Sequence, residues 1–498
     1  MNRYRLTFAR GVAAMAAVIL VIVAVGTLID LTGRGFGLGK LTQLDYTEAR
    51  FLADLSNRGL NQLLALTFTV VAIAVPLTAN LYSAKFLEFF IKDQVNAAVL
   101  TLVVLADLAS FWLIFSLKQD FIPRFQLYLS FALLLLCLCV LFPYLHYVFR
   151  FLHPTTLLHR LEDEINTAVD AAIQRPARAG TYRQLVADGI EHIANIAVRS
   201  IERTDRATAI ASVFTLERVA RAYWARKGNL APAWFVADPN SFRGFSTKAV
   251  DEFTASRTWA EMKLFSQLRG ILSAAVPRTH DVADTVARAL RHLGLEAPVR
   301  ADEALRELVM AYFNTCLRLA LTRRDTNTAF TLLENYYLFA VTLNSELPQF
   351  VQEIAYYFDY YGQIARERQM PFIAETAAHD LGALTQHAWD TQAPNRQKLL
   401  ERFLRFDDKD PSPLPGVKKA QARFGSYLML AGHLEQVALV RQEFDGLPRA
   451  FIAEIAEELL HVRREKYWEI SGRRMNIDYV PDAQREKLRE FFEGVLGK

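Results

Sequence analysis

Four apolar stretches lie in the first third of the chain, at about 9–30, 62–83, 97–117 and 126–150. Each is long enough to cross the ~30 Å hydrocarbon core of a bilayer as a helix that rises about 1.5 Å per residue. The pattern therefore predicts a membrane domain over residues 1–154 with four transmembrane helices. We interpret the first stretch as an uncleaved anchor, because its apolar run is long for a signal peptide.

The rest of the chain shows helical periodicity almost throughout. Apolar residues recur at spacings of three and four, as in Leu157, Leu161, Ile165 and Val169. The prolines of segment 407–416 favour a linker there. The predicted fold class is therefore all-α: a four-helix transmembrane block, then a large soluble helical array of the α-solenoid or tetratricopeptide-like type. We predict a cytoplasmic helical domain over 155–406 and a C-terminal helical subdomain over 417–498.

Two segments of this array repeat one pattern. Each has an apolar helix, a short basic turn and then Asp-x-x-Thr-Ala, with Asp205 and Thr208 in the first copy and Asp325 and Thr328 in the second. Asp is a favoured helix N-cap, so each copy is typical of a helix hairpin with these residues at the cap. Coincidence among common helix-start residues is the competing explanation.

The charge balance restricts the classes of partner. Residues 1–160 contain 13 Lys and Arg against 8 Asp and Glu, whereas the remainder contains 44 against 45. A nucleic-acid-binding domain normally carries a basic patch, so the neutral remainder argues against nucleic acid as a partner. The expected partners are the lipid bilayer, another protein bound through the array, and further copies of the chain in a homo-oligomer.

The flanking charges give only a weak topology signal. With four spans both termini lie on one side, which carries seven basic residues against six on the other. Because Arg3, Arg5 and Arg10 precede the first span, we place both termini in the cytoplasm and expect a multi-pass protein of the bacterial inner membrane. Segment 31–60 would then be outside, and its second half either lies at the membrane surface or extends the second span.

One ionisable residue, Asp107, lies near the middle of a predicted span. An ionised carboxylate at the bilayer centre costs about 2.5–3.5 kcal/mol on insertion scales, so it should face protein or water. Ser110 shares its helix face, and Asn80 and His146 on the neighbouring spans are candidate polar partners. The functional hypothesis is an ion or proton path or a subunit contact; the simpler one is a hydrogen bond between helices.

An aromatic-rich zone is the candidate surface for a partner protein, since tyrosine is favoured in binding surfaces. It contains Tyr336, Tyr337, Tyr356, Tyr357, Tyr360 and Tyr361. Packing in the core of the array is the alternative. The sequence has no glycine-rich phosphate loop and no HExxH or GxSxG motif, and the pair His379-Asp380 has no nucleophile beside it. We therefore expect no enzyme activity, no cofactor and no metal site.

Several short motifs resemble a known family. They are Tyr82-Ser83-Ala84-Lys85-Phe86-Leu87, Lys92-Asp93-Gln94, Phe121-Ile122-Pro123, Phe151-Leu152-His153-Pro154 and the stretch from Ile196 to Ala209. Together they resemble the DUF2254 family of bacterial membrane proteins over about residues 60–220. The chain departs from the family pattern at Ala84, where members have Pro, and at Pro154, where they have a second His. The resemblance implies a membrane protein and supplies no activity, cofactor or site.

Two functional hypotheses follow. In the first, the membrane block anchors a cytoplasmic helical array that binds another protein as a scaffold or assembly factor. In the second, the block oligomerises into an ion channel or transporter subunit in which Asp107 lines or gates the path.

Overall fold

The computed structural model describes residues 44–83, 85–408, 412–467, 473 and 475–497, and five isolated residues of the first predicted span. That span, at about 9–30, otherwise lies outside the described residues. The contacts divide the chain into two compact units, residues 1–160 and 161–498. We call these the membrane unit and the array unit. The division predicted at 154, 406 and 417 stays a prediction.

The membrane unit contains four described helices. They are α1 (Tyr46–Leu81), α2 (Lys85–Lys92), α3 (Gln94–Ser116) and α4 (Arg124–Phe151). Among the described residues, α1, α3 and α4 are long and apolar enough to cross a membrane. They correspond to the second, third and fourth predicted spans. Helix α1 is 36 residues long because the polar segment before the second span continues it as one helix, capped by Asp45. The membrane-surface alternative for residues 46–60 is therefore wrong.

The outer surface of this unit is apolar and its interior contains polar groups. Large side chains such as Phe115 and Phe142 are each 77% exposed. Ser56, Asp107 and Ser110, by contrast, are buried where the helices meet. This distribution is expected where lipid, and not water, surrounds the helices.

The described part of the array unit is built from α-helices. They are α5 (Pro154–Gln174, which crosses the unit boundary), α6 (Ala179–Glu202), α7 (Arg206–Lys227), α8 (Thr247–Ala255), α9 (Trp259–Ala275), α10 (His280–Gly294), α11 (Ala297–Ala301), α12 (Glu303–Thr322), α13 (Thr326–Leu343), α14 (Pro348–Glu367), α15 (Pro371–Asp390), α16 (Arg396–Leu404), α17 (Pro415–Ala431), α18 (Leu434–Gln442), α19 (Arg449–His461) and α20 (Asp482–Leu496). No strand occurs in the described part of either unit; only two isolated bridges do.

Most of these helices stack in two layers. Helices α6, α9, α12, α14 and α16 contact one another in sequence and form the first layer. Helices α7, α10, α13, α15 and α17 form the second layer in the same way, and α20 packs on α17. Each hairpin thus adds one helix to each layer, which is the arrangement of a helical array. The all-helical prediction is confirmed for the described residues.

Several hairpin turns share one backbone conformation. Thr204, Arg324, Gln369 and Gln392 all have a positive φ of 52–61° just after a helix. After α6, for example, the amide of Asp205 donates to the carbonyl of Ser200, and the amide of Thr204 donates to that of Ile201. These two bonds satisfy two of the carbonyls that the end of the helix leaves free. The chain can then reverse within three residues, which brings consecutive helices into contact.

Candidate functional site

Asp107 lies inside the membrane unit, and its side chain is surrounded by helices. The residue is 5% exposed and its Oδ1 atom has no hydrogen-bond partner. One helical turn away, the Ser110 hydroxyl donates to Asn57 Oδ1 on α1 at 2.9 Å. Asn57, which the sequence reasoning did not consider, is therefore the polar residue that faces this part of α3.

The other two candidates do not lie near Asp107. The Ser110–Asn57 bond places Asp107 close to the level of Leu60, since α1 and α3 run antiparallel. Asn80 is then twenty residues further along α1, about 30 Å away at 1.5 Å per residue. The 3.2 Å hydrogen bond between Ser116 of α3 and Gln126 of α4 sets the register of these two helices in the same way. His146 then lies about 17 Å along the helix axis from the level of Asp107. Of the four predicted residues, the structure therefore brings only Ser110 close to Asp107.

A second polar centre lies at one end of the membrane unit, around Asp93. This residue is the N-cap of α3, and its Oδ1 accepts from the amides of Val95 and Asn96. Its Oδ2 accepts from the Tyr147 hydroxyl at 2.8 Å and from the Arg160 guanidinium at 3.1 Å. Burial raises the pKa of Asp93, but these hydrogen bonds and the Arg160 charge outweigh burial, so the pKa is lowered. Asp93 is therefore a carboxylate held by four donors.

Aromatic rings enclose this centre. The Phe151 ring contacts the edges of Phe86 and Phe90, with centroids 5.3 and 5.6 Å apart, and the Arg160 guanidinium lies 4.0 Å from the Phe151 centroid. Phe86, Asp93 and Phe151 come from three of the motifs that carry the family resemblance. The fold thus brings motifs that are far apart in sequence into one junction of α2, α3 and α4.

In the array unit, the tyrosine zone divides between core and surface. Tyr336 and Tyr361 are 0% and 3% exposed, so they belong to the core. Tyr337, Tyr357 and Tyr360 are half-buried, and Tyr356 is 45% exposed. The exposed part of the predicted partner surface is thus smaller than the sequence indicated, because consecutive residues on a helix lie about 100° apart and cannot all face outward.

The exposed Tyr356 and the half-buried Tyr360 form a continuous row with two arginines. The Arg318 guanidinium on α12 donates to the Tyr360 hydroxyl at 2.9 Å. The Tyr360 ring stacks on Tyr356 of the same helix, α14, with centroids 6.1 Å apart, and Arg402 on α16 lies 5.2 Å from the Tyr356 centroid. We call these four residues the Arg-Tyr row. It crosses three helices of the first layer.

A polar cleft of about 630 Å³ adjoins this row between α14 and α16. Its lining includes Asp359, Gln363, Lys398, Arg402 and Arg405. Arg402 therefore faces both the cleft and the Tyr356 ring.

The predicted hairpin caps occupy helix starts in the array unit. Asp205 accepts from the amide of Thr208 at 3.1 Å, and Asp325 accepts from that of Thr328 at 2.7 Å. Thr208 and Thr328 contribute backbone donors, whereas the aspartates provide the capping side chains. These residues set the start of α7 and α13 and form no separate site.

The pair His379-Asp380 belongs to a buried ionic network that the sequence did not indicate. Arg473 donates from both terminal nitrogens to Asp380, and Arg423 contacts His379 Nδ1 at 3.0 Å. His379 Nε2 lies 3.5 Å from Asp478. Burial lowers the pKa of His379 and the Arg423 charge adds to this, while Asp478 opposes it. The network attaches segment 473–478 to the second layer and contains no nucleophile.

A segment that includes most of the membrane unit matches a known protein family. Residues 3–185 match the family described as "Predicted membrane protein (DUF2254)". The resemblance is confirmed for that segment. Its range differs from the predicted 60–220: the match includes the first span and ends before the stretch from Ile196 to Ala209. This is a membrane protein by that match and by its three apolar helices.

The comparisons with curated proteins and solved structures add little. No curated protein matches the chain. Among solved structures, the chain is similar to a "Circular tandem repeat protein with novel repeat topology and enhanced subunit contact surfaces", at 14% identity over 91% of this chain and 97% of that one. The TM-score is 0.26.

Proposed function

We propose that this protein is a non-enzymatic scaffold or assembly factor of the bacterial inner membrane, whose array unit binds another protein. In this proposal the protein is multi-pass with both termini in the cytoplasm, so the array faces the cytoplasm. The observation that carries the proposal is the Arg-Tyr row, which presents Arg318, Tyr360, Tyr356 and Arg402 across three helices.

The row has the composition and rigidity that favour a binding surface. Tyrosine and arginine are the residue types most enriched among those that dominate binding energy. Stacking and the Arg318 hydrogen bond already order the side chains, so little conformational entropy remains to be lost on association. The adjoining cleft offers polar groups for hydrogen bonds at the rim of such an interface.

A photo-crosslinking experiment on the full chain tests the proposal. A photoreactive phenylalanine analogue replaces Tyr356 in one variant and Phe372 in another, in membranes of the cells that produce the protein. Phe372 is a matched control, because it is also 45% exposed but lies on α15 in the second layer. We expect a defined protein adduct from position 356 and none of that mass from position 372.

A second change links the adduct to the row. Arg402→Ala should weaken the adduct at position 356 strongly, because it removes a cation from the proposed interface while leaving α16 helical. Identical adducts at both positions, or no adduct at 356 in a folded chain, would contradict the proposal.

The channel hypothesis receives less support. A path formed between subunits requires Asp107 to reach the outer surface of the membrane unit, whereas the residue is 5% exposed among helices of its own chain. We therefore do not adopt it as a second function.

A further inference from the structure

A C-terminal segment without helical structure crosses the second layer of the array unit. It consists of residues 473 and 475–480. Arg473 donates to the Asp380 carboxylate on α15 and to the Phe330 carbonyl on α13. Further along, the Ile477 carbonyl accepts from Arg423 of α17. The segment thus contacts three successive helices of the layer, and helical arrays present extended surfaces of this kind to their ligands.

This segment is attached mainly through polar groups. Met475 is 58% exposed and Ile477 is half-buried, so apolar burial contributes little before Val480. The Arg473 side chain, by contrast, is only 9% exposed. At the other end of the segment, Asp478 contacts Lys419 of α17 at 3.1 Å. Arg473 is therefore a deeply buried anchor whose attachment depends on hydrogen bonds and charge.

The pocket that holds Arg473 is built from the helices of the array. Its Asp380 carboxylate accepts from both terminal guanidinium nitrogens, and the ring of Phe330 lies 4.3 Å from the guanidinium. The Phe372 ring of α15 packs on Phe330, with centroids 5.4 Å apart. A planar guanidinium matches a paired carboxylate and an aromatic face together, whereas a lysine ammonium does not reproduce this geometry. The pocket therefore favours arginine.

A second carboxyl group makes an empty pocket unfavourable. Glu334 of α13 is close enough to feel both charges: burial raises its pKa most, the Arg473 charge lowers it and the Asp380 charge raises it. Loss of the guanidinium would leave Asp380 beside Glu334 without the cation that now bonds to it. A competing segment must therefore bring an arginine of its own.

We propose that the second layer is a docking surface for an extended segment of another protein that carries an arginine, and that the C-terminal segment occupies this surface in its absence. An incoming arginine replaces Arg473 bond for bond, so no buried acceptor in the pocket loses its donor. The tethered segment competes at an effective concentration on the order of millimolar, which disfavours segments without an arginine. This surface and the Arg-Tyr row lie in different layers, so either can exist without the other.

Binding of a fluorescent peptide to the full chain in detergent tests this proposal. The probe has the sequence of residues 471–482, and a second peptide has lysine in place of Arg473. We expect weak binding to the wild type, because its own segment competes, and at least about tenfold tighter binding to Arg473→Ala. Adding Asp380→Asn to that variant, or using the lysine peptide, should weaken binding about 10–100-fold. The matched control is Arg218→Ala, which breaks a similar arginine–carboxylate pair with Glu162 and should bind like the wild type.

A measurement on the wild type guards against misfolded variants. The arginine peptide, at a concentration on the order of millimolar, should displace the protein's own segment. The amides of residues 475–480 should then exchange hydrogen faster, whereas the lysine peptide should leave them slow. The oligomeric state should be the same for the wild type and Arg473→Ala.

Three results would overturn the proposal. The first is equal binding of both peptides, or no binding, to Arg473→Ala that is folded by circular dichroism. The second is a wild-type segment whose amides stay protected when the arginine peptide is bound. The third is a wild-type oligomer that Arg473→Ala dissociates, because copies of the chain would then exchange this segment with one another.

Discussion

The ion pair between Asp380 and Arg473 offers a quantitative test of the array unit. Two guanidinium nitrogens donate to the two carboxylate oxygens at 2.5 and 2.8 Å. The side chains are only 5% and 9% exposed. The guanidinium also donates to the Phe330 carbonyl at 3.1 Å and lies 4.3 Å from the Phe330 ring centroid. Arg473 thus connects the C-terminal segment to both α13 and α15.

Asp380→Ala would leave the Arg473 guanidinium buried without its carboxylate. Removing one partner of a buried pair costs about 3–5 kcal/mol of the free energy of unfolding. Glu334 partly compensates, because burial raises its pKa while the Arg473 charge acts to lower it, so the two groups attract. We therefore expect a loss near the lower limit, about 3 kcal/mol. At roughly 2–4 °C per kcal/mol, the melting temperature should fall by about 6–12 °C.

Thermal melting of the full chain in detergent measures this loss, and a double-mutant cycle identifies its cause. Combining Asp380→Ala with Arg473→Met removes both charges. The double variant should therefore lose less free energy of unfolding than the two single variants lose together. The control is Glu346→Ala, whose partner Arg300 is 37% exposed and whose own side chain is 55% exposed. Its effect should stay below about 1 kcal/mol.

A double variant as unstable as the two single losses combined would refute this reasoning, because the charges would then not be coupled. Hydrogen exchange gives an independent check at the segment itself. The amides of residues 475–480 should exchange faster in Asp380→Ala and remain slow in Glu346→Ala.

Three smaller perturbations test other features of the array unit. Asp205→Ala and Asp325→Ala should each cost about 1 kcal/mol, because each leaves a helix-start amide without its acceptor; melting of the single and double variants should show additive losses. Burial raises the pKa of Glu443 from 4.5 to about 7, so the stabilisation from its protonated form is full below pH 4.5 and is lost as pH rises through 7. Glu443→Gln should remove that step from melting temperatures measured between pH 4.5 and 8. Gly425→Ala should cost about 1–3 kcal/mol, because the added Cβ would lie 2.5 Å from a phenylalanine carbon, whereas Gly270→Ala meets no atom within 4 Å and should stabilise α9 by up to about 1 kcal/mol.

The elements that the sequence predicted well are those with a local signal. The third apolar span, at 97–117, corresponds to Gln94–Ser116, and the fourth, at 126–150, corresponds to Arg124–Phe151. Each of these helices is apolar along most of its length, so the boundaries agree within a few residues. The caps Asp205 and Asp325 could also be predicted from the sequence, because a cap accepts a hydrogen bond from an amide only three residues further along the chain.

The sites were harder to predict because distant residues form them. Asn57 meets Ser110 across 53 residues, and Arg473 meets Asp380 across 93. No periodicity or spacing encodes such contacts. A weak signal did exist in the membrane unit: Ser56 and Ser130 each interrupt an apolar helix face at a position where the next turn on either side is apolar.

Two polar contacts between helices explain how the three apolar helices of the membrane unit select one register. In a bilayer, burial of apolar side chains favours no particular pairing, because lipid is as apolar as the side chains. A shift of α3 along α1 would preserve the contacts of leucine with leucine but would separate Ser110 from Asn57. A shift of α4 would likewise break the Ser116–Gln126 bond and bring Leu134 away from Gly59. These polar contacts therefore favour one register of the three helices of the membrane unit.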